Sequence, residues 1–465
     1  MAGQKEGILQ EATRALGFIL KDGLSIDDQE QIVKESIEHF TEYMNPDWLR
    51  YYKLISKNAV LVEWTDSMEA FKDPHGNEFI DCLGGFGINI AGHQNIEIVK
   101  AVEAQLNRQA LHNYELLNPL RGYLAKLVSM SAPGNLKYVH FCSEGAEAIE
   151  LALGLARMTS DNCFIISTVN AFHGNKFGGL SGAGKATCRK LNLPIIQDVQ
   201  YVEFGNAEAA ETAIKNLIAV GETVAAMILE PIQVAAGVVI PPAGYLQQIR
   251  KICDYYGVLL IIDEIQTGMG RTGMFWACEY SGVVPDILVF GNAFGGGVMP
   301  ITGIIIKEHL WVEELAENPW ILGQSISGGT PLACAAAIAT IKFIIENDIS
   351  NQIAQKGDYI MEQLKDLQRR HPILLDVRGK GLLIGLEYPT PEIGTAVSQA
   401  LFQRGVVTGG AFNNAKIIRI EPAGVIRFET IDKIIAKLDK AMSIVAQEFA
   451  LSRSQSATHA VSLTN

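Results

Sequence analysis

Residues 258–273 read VLLIIDEIQTGMGRTG. Five apolar residues run without a polar break, two acids follow at Asp263 and Glu264, and a loop then places glycine at Gly268, Gly270 and Gly273. A continuous apolar run of that length, bounded by glycine, predicts a strand buried on both faces. Working outward, runs of the same kind occur at 138–142, 163–168, 225–230, 287–290 and 301–307, separated by longer amphipathic stretches. Strands alternating with helices in this way predict an α/β fold, a mainly parallel sheet flanked by helices. Sheets of that kind take ligands beyond the carboxyl ends of their strands. Ser143, Glu144, Glu230, Asp263, Glu264 and Asn292 all fall at such ends. Any one acid there could simply cap the next helix; the set is what predicts a site.

The flanks differ from this centre. Ile8, Leu9, Ala12, Leu16, Ile19 and Leu20 recur at a helical period until Gly23, and Ser25 with Asp28 offers a cap for a second helix carrying Ile32, Val33, Ile37 and Phe40. Residues 1–48 are therefore expected to form a helical arm packed on the body or on a partner subunit. After about residue 347, strand-like pieces at 377–388 and 406–422 precede a helix on Ile431, Ile434, Ile435, Leu438, Met442, Val445 and Phe449. The predicted organisation is a large domain over 116–346 and a smaller α+β domain built from 49–115 and 347–452. Residues 453–465 are polar and expected to form a flexible tail.

Composition excludes several functions. With 465 residues, 48% of them apolar and 19% charged, most of the chain folds. The balance of 38 basic and 51 acidic residues, with no stripe of lysine or arginine, argues against nucleic acid. Seven cysteines without a C-x-x-C pair are expected to be reduced, buried thiols of a cytoplasmic protein. No apolar run approaches the ~20 residues of a membrane span, and the polar start lacks the core of a signal peptide. Nine histidines without clustering, and no H-E-x-x-H, give no expectation of a metal site.

Four segments fix a resemblance: 263–273, Leu229-Glu230-Pro231-Ile232-Gln233, Ala171-Phe172-His173-Gly174 and Gly295-Gly296-Gly297-Val298-Met299-Pro300. In order and spacing they resemble the class III aminotransferases of fold type I. Leu83-Gly84-Gly85-Phe86-Gly87, Glu115-Leu116-Leu117 and Arg419-Ile420-Glu421-Pro422 bring the chain nearest the putrescine and diamine aminotransferases, and the resemblance spans roughly 40–449. It implies a homodimer and a pyridoxal phosphate pocket. Asp263 would be the carboxylate that keeps the ring nitrogen protonated. Phe172 and Ile265 would pack on the two ring faces, with Gln266 near the ring hydroxyl. Glu230 would gate the substrate carboxylate, Arg419 would contact it, and Ser143 and Gly145 would belong to the phosphate cup.

Three positions depart from the family pattern. Where the family has the lysine that forms an imine with the cofactor and then shuttles a proton, this chain has Asn292, whose amide is neither basic nor nucleophilic. Glu144 replaces the serine of the phosphate cup; a carboxylate about 4 Å from a phosphate costs on the order of 4 kcal/mol per charge at an effective dielectric of about 20. Ile326 replaces a threonine that reaches the phosphate across the dimer interface.

Three changes serving one cofactor read as natural loss more readily than as one engineered substitution. The expectation is a pseudoenzyme with respect to transamination, holding no cofactor. Its remaining pocket, with Glu144, Glu230, Asp263, His173 and Asn292, would act on an amine or amino-acid-like small molecule. Two alternatives stay open: a pyridoxal-phosphate-dependent ω-amine or diamine aminotransferase carrying a lysine substitution, and a non-catalytic partner of an active homologue. Lys176, close after His173, is expected to be a surface residue.

Overall fold

The computed structural model describes residues 2–45, 47, 62–113, 115–160, 162–185, 189–190, 196, 198–318 and 325–462. The beginning of the 49–115 segment and the last three residues of the tail lie outside them.

Fourteen strands follow in chain order: β1 (Thr65–Ser67), β2 (Ala70–Lys72), β3 (Glu78–Cys82), β4 (Leu136–Cys142), β5 (Phe164–Thr168), β6 (Val199–Val202), β7 (Val224–Leu229), β8 (Leu259–Glu264), β9 (Ile287–Phe290), β10 (Thr302–Lys307), β11 (Asp376–Lys380), β12 (Leu383–Glu387), β13 (Val406–Ala411) and β14 (Asn414–Ile420). The central sheet has the order β4-β10-β9-β8-β7-β5-β6. Its pairs from β9 through β6 are parallel, and every residue of β7 and β9 is buried, as the continuous apolar runs require. One strand departs from the parallel expectation. β10 runs antiparallel to both β9 and β4, because the short link 291–301 after β9 leaves no room for a crossover helix. β6 was not legible in the sequence; Val-Gln-Tyr-Val alternates at the sheet edge instead of forming an apolar run.

The second sheet has the order β1-β2-β3-β13-β14-β12-β11, so both ends of the chain contribute to it. The join is the parallel pair β3–β13, with Ile80 opposite Val406. Helices Ile349–Arg370 and Phe428–Ser462 contact each other, and a continuous apolar cluster links this sheet to the central one. In the arm, helices Ala2–Ile19 and Ile26–His39 form as expected, and the Ser25–Asp28 capping box is present. Six described cysteines are free; five are buried as expected, while Cys163 is exposed. Among the described residues no helix is long and apolar enough to cross a membrane.

Within the second sheet, the loop after β3 passes close to the end of β14. Gly84 has φ +66°, and a Cβ there would lie 2.0 Å from the Glu421 carbonyl oxygen. Only glycine fits both that backbone and that approach. Gly84→Ala is expected to destabilise the chain by about 3 kcal/mol or more, read as a lowered urea midpoint. An unchanged midpoint would show that the two segments separate easily.

Candidate functional site

Four strand ends converge on one cavity. β8 carries Asp263, Glu230 follows β7, the loop after β5 supplies Phe172 and His173, and Asn292 stands two residues beyond β9. All of them line a cavity of about 370 Å3, with Gly145, Ile265, Gln266 and Arg419 among its other walls.

The polar part of this cavity is buried. His173 Nδ1 lies 2.8 Å from Asp263 Oδ2, and His173 Nε2 is buried without a partner. The ring hydrogen facing Asp263 is therefore on Nδ1, which donates it to the carboxylate. Asp263 Oδ1 accepts the Ile265 N–H at 3.1 Å. Burial pulls the His173 pKa down, but the hydrogen bond and charge of Asp263, with the charge of Glu230, lift it above its ordinary value.

Glu230 accepts the N–H groups of Phe172 and Val234, each at 3.2 Å. Burial pushes its carboxyl up to about 7; the His173 charge opposes that shift, the Asp263 charge adds to it, and the two N–H bonds moderate it.

The apolar walls come from three chain segments. Phe172 stacks on Phe412 and Phe412 on Phe86, each at 5.3 Å between ring centroids, and the Arg419 guanidinium sits 4.9 Å from the Phe86 centroid. Arg419 Nε lies 2.9 Å from Glu421 Oε2 out of hydrogen-bond alignment, and its Nη2 is buried without a partner. Gln266, read as a neighbour of a ring hydroxyl, lines the cavity, but its amide nitrogen donates to Glu421 at 2.9 and 3.2 Å. Arg271 lies outside the cavity wall. It donates to the carbonyl oxygens of Pro422 at 2.5 Å and Gly87 at 3.5 Å, which ties the glycine-rich loop to the segments that follow β14 and β3 of the second sheet.

Asn292 is half-buried with φ +46°, and its Nδ2 donates to the Phe86 carbonyl oxygen at 2.7 Å. Phe86 itself has φ +59°. Two residues in a costly backbone region are thus held by one bond between them.

Ser143 and Glu144 belong to a neighbouring cavity of about 590 Å3, which shares Gly145, Ala146, Phe172, Gly174 and Asn292 with the first. The residues proposed from sequence are thus brought together in two adjoining compartments. The Ser143 N–H and hydroxyl both donate to Glu147 Oε2 at 2.9 Å, in the first turn of helix Gly145–Ser160, so both are engaged within the chain. Glu144 is exposed on the wall. Lys176 is exposed as expected, yet it lines this second cavity beside Glu144, nearer the site than the sequence suggested.

A sequence profile described as aminotransferase class-III matches residues 57–442. The chain belongs to the class III aminotransferases. Its structure resembles a transaminase from the marine bacterium Virgibacillus with a TM-score of 0.82 at 26% identity, covering 90% of this chain and 100% of that one. It resembles a thermostable (S)-enantioselective omega-transaminase from Thermomicrobium roseum with a TM-score of 0.80 at 28% identity, covering 90% and 98%. An amine transaminase from an uncultivated Pseudomonas species, solved in its PLP-bound form, gives a TM-score of 0.78 at 26% identity over 84% and 96%.

The class III cofactor can be tested against the residues present. Phe172, Ile265 and the Asp263 carboxylate suit a planar, protonated ring. The attachment points do not match it: no lysine is among the described residues lining the first cavity, the Asn292 amide is bonded to Phe86, and the Ser143 donors are engaged by Glu147. Phe172, Ile265 and Asp263 therefore form a slot suited to the ring of pyridoxal phosphate, while Asn292 and Ser143 are each bonded within the chain.

Sequence reasoning gave no role to Phe86 or Phe412, although Phe86 lies in the quoted run Leu83-Gly84-Gly85-Phe86-Gly87. Closely spaced glycines around an exposed aromatic were the available signal. Glu264 was named only as a strand-end acid. It turns inward, accepts the Cys278 N–H at 2.7 Å, and burial pushes it up to about 7.

The Glu230 shift fixes a pH dependence. Its folded value lies above the unfolded one, so its stabilising contribution is complete below about 4.5 and is lost as pH rises through about 7. Relative to Glu230→Gln, the wild-type chain is expected to lose roughly 2–3 kcal/mol of stability between about pH 5 and pH 8. Urea midpoints of both proteins check this; parallel pH profiles would contradict it.

Proposed function

We propose that this class III protein binds an amine or amino-acid-like small molecule in the 370 Å3 cavity and moves protons on it without covalently held pyridoxal phosphate. The observation that carries this reading is Asn292. The amide at that position has no nucleophilic lone pair to offer, and its hydrogen is engaged by the Phe86 carbonyl.

The charges around the cavity support an amino-acid-like ligand. Asp263 and Glu230 offer counter-charge to an ammonium group, and the unpartnered Arg419 Nη2 suits a carboxylate. A carboxyl titrating near 7 gives up or takes a proton at neutral pH, which suits Glu230 to general acid–base work. His173 holds Asp263 in place through Nδ1–H. Apolar walls from Phe172, Ile265 and Phe412 exclude water and strengthen each charge interaction. We further read the protein as a cytoplasmic homodimer.

A second reading has one observation in its favour: Phe172, Ile265 and Asp263 still form a ring-sized slot. On that reading the chain is a pyridoxal-phosphate-dependent ω-amine or diamine aminotransferase altered at Asn292.

Absorption spectra of the purified protein, as isolated and titrated with pyridoxal phosphate, separate the two. The expected result is no bound chromophore and complete removal of added cofactor by dialysis, with Asn292→Lys failing to transfer an amino group to a keto acid. Amino acids or diamines should raise the melting temperature of the wild type and not of Glu230→Gln. Stoichiometric chromophore surviving dialysis, or amine transfer by Asn292→Lys, would establish the second reading.

A further inference from the structure

Away from the cavity, three carboxylates surround one buried imidazole. Asp81 is held rigidly, its Oδ1 accepting the N–H groups of Leu83 and Gly84 at 2.8 and 2.9 Å. Its Oδ2 lies 2.8 Å from His93 Nε2, and the Asn89 amide nitrogen lies 3.2 Å from the same ring atom. The His93 backbone pairs with Met68 in both directions, at 2.7 and 2.9 Å, which fixes the ring against the β1 segment. On the other side of the ring, Nδ1 lies 3.2 Å from Asp66 Oδ2. Glu63 completes the group: one ligand atom from each of Glu63, Asp66 and His93 falls within 4.8 Å of the others.

Two independent features point to a cation. The first is charge. Among the described residues no lysine or arginine forms an ion pair with Glu63, Asp66 or Asp81, so three carboxylates face a single imidazole. A proton on Nδ1 offsets only one of those charges.

The second is geometry. Without a metal the Nδ1 proton faces Asp66; a cation that displaces it would meet an imidazole whose Nε2–H is fixed by a carboxylate and whose Nδ1 lone pair then points in a set direction, the arrangement that orients histidine ligands of metals. Two ligands on a tetrahedral zinc with bonds of about 2.0–2.1 Å lie roughly 3.3 Å apart, close to the 3.2 Å between Nδ1 and Asp66 Oδ2.

We propose that Glu63, Asp66 and His93 bind a divalent transition cation of the zinc class, with Asp81 orienting His93 from behind and a water completing the coordination. One imidazole and two carboxylates form a donor set suited to such ions. The site is assembled only by the fold, since Glu63 and Asp66 precede β2 while His93 follows the glycine-rich turn after β3. It would pin the segment leading into β1 to the loop before helix Ile96–Leu106. It does not depend on what the strand-end cavity binds.

The test uses the full chain, stripped with a chelator and dialysed, in calorimetric titrations with Zn2+ and absorption titrations with Co2+. The expected result is one Zn2+ per chain at micromolar affinity, a tetrahedral Co2+ spectrum, and a higher melting temperature in the metal-loaded protein. Asp66→Asn and Glu63→Gln, both on partly or fully exposed side chains, should each weaken binding at least tenfold with an unchanged circular dichroism spectrum. Asp81→Asn should weaken it about tenfold through loss of His93 orientation. Absence of saturable binding below millimolar Zn2+, or affinity unchanged in Asp66→Asn and Glu63→Gln, would overturn the proposal.

Discussion

A single carboxylate governs how the two sheets meet. Glu421 is fully buried at the end of β14, where burial raises its pKa and an unpaired charge would cost several kcal/mol. Its partners come from separate segments: Arg419 from its own strand, Gln266 from the loop after β8, and Arg271, with Nε at 3.8 Å, from the glycine-rich loop beyond. Its backbone N–H donates to the Cys82 carbonyl oxygen at the end of β3. The sheets can dock only with these groups in register. The cavity, whose walls include Gln266 and Arg419, takes its shape from that requirement.

The same economy of position is visible at the strand ends. His173, Asp263 and Glu230 are each about nine-tenths buried or more, and each polar contact they make leads to another part of the rim. Glu230 holds the amides of Phe172 and Val234, so the residue best suited to exchange a proton also orders the aromatic wall. Asn292 plays a comparable part on the opposite side, joining the turn after β9 to Phe86 and thereby to the ring stack. Asn292 thus fastens the architecture around the cavity.

The central sheet was legible because burial on both faces writes itself into consecutive residues: 225–230 and 258–263 are apolar almost throughout, and both are strands. Valines and isoleucines also announced Ile287–Phe290 without help from distant parts of the chain. β6 was hidden because its outer position permits Gln200 and Tyr201, and β10 hid its direction because a run of apolar residues carries no polarity. Asp263, Glu230 and His173 could be placed together from strand ends and a resemblance. The partners of Asn292, Gln266 and His93 could not, since each is met only after the chain has folded back, and no local period records a contact between residues so far apart in sequence.

That distance has a consequence for how the molecule comes to exist. Every strand of the central sheet lies between residues 136 and 307, whereas β3 pairs with β13, so the hairpin formed by β2 and β3 leaves the ribosome with an open edge that stays unpaired until nearly the whole chain has been made. Pairings of such long range form late, and exposed edges are where newly made chains associate wrongly. The early strands are short, three to five residues, and Lys72, Asp73, Asn77 and Glu78 crowd the turn that joins β2 to β3. Brevity and charge at this end of the chain keep a waiting edge soluble during synthesis.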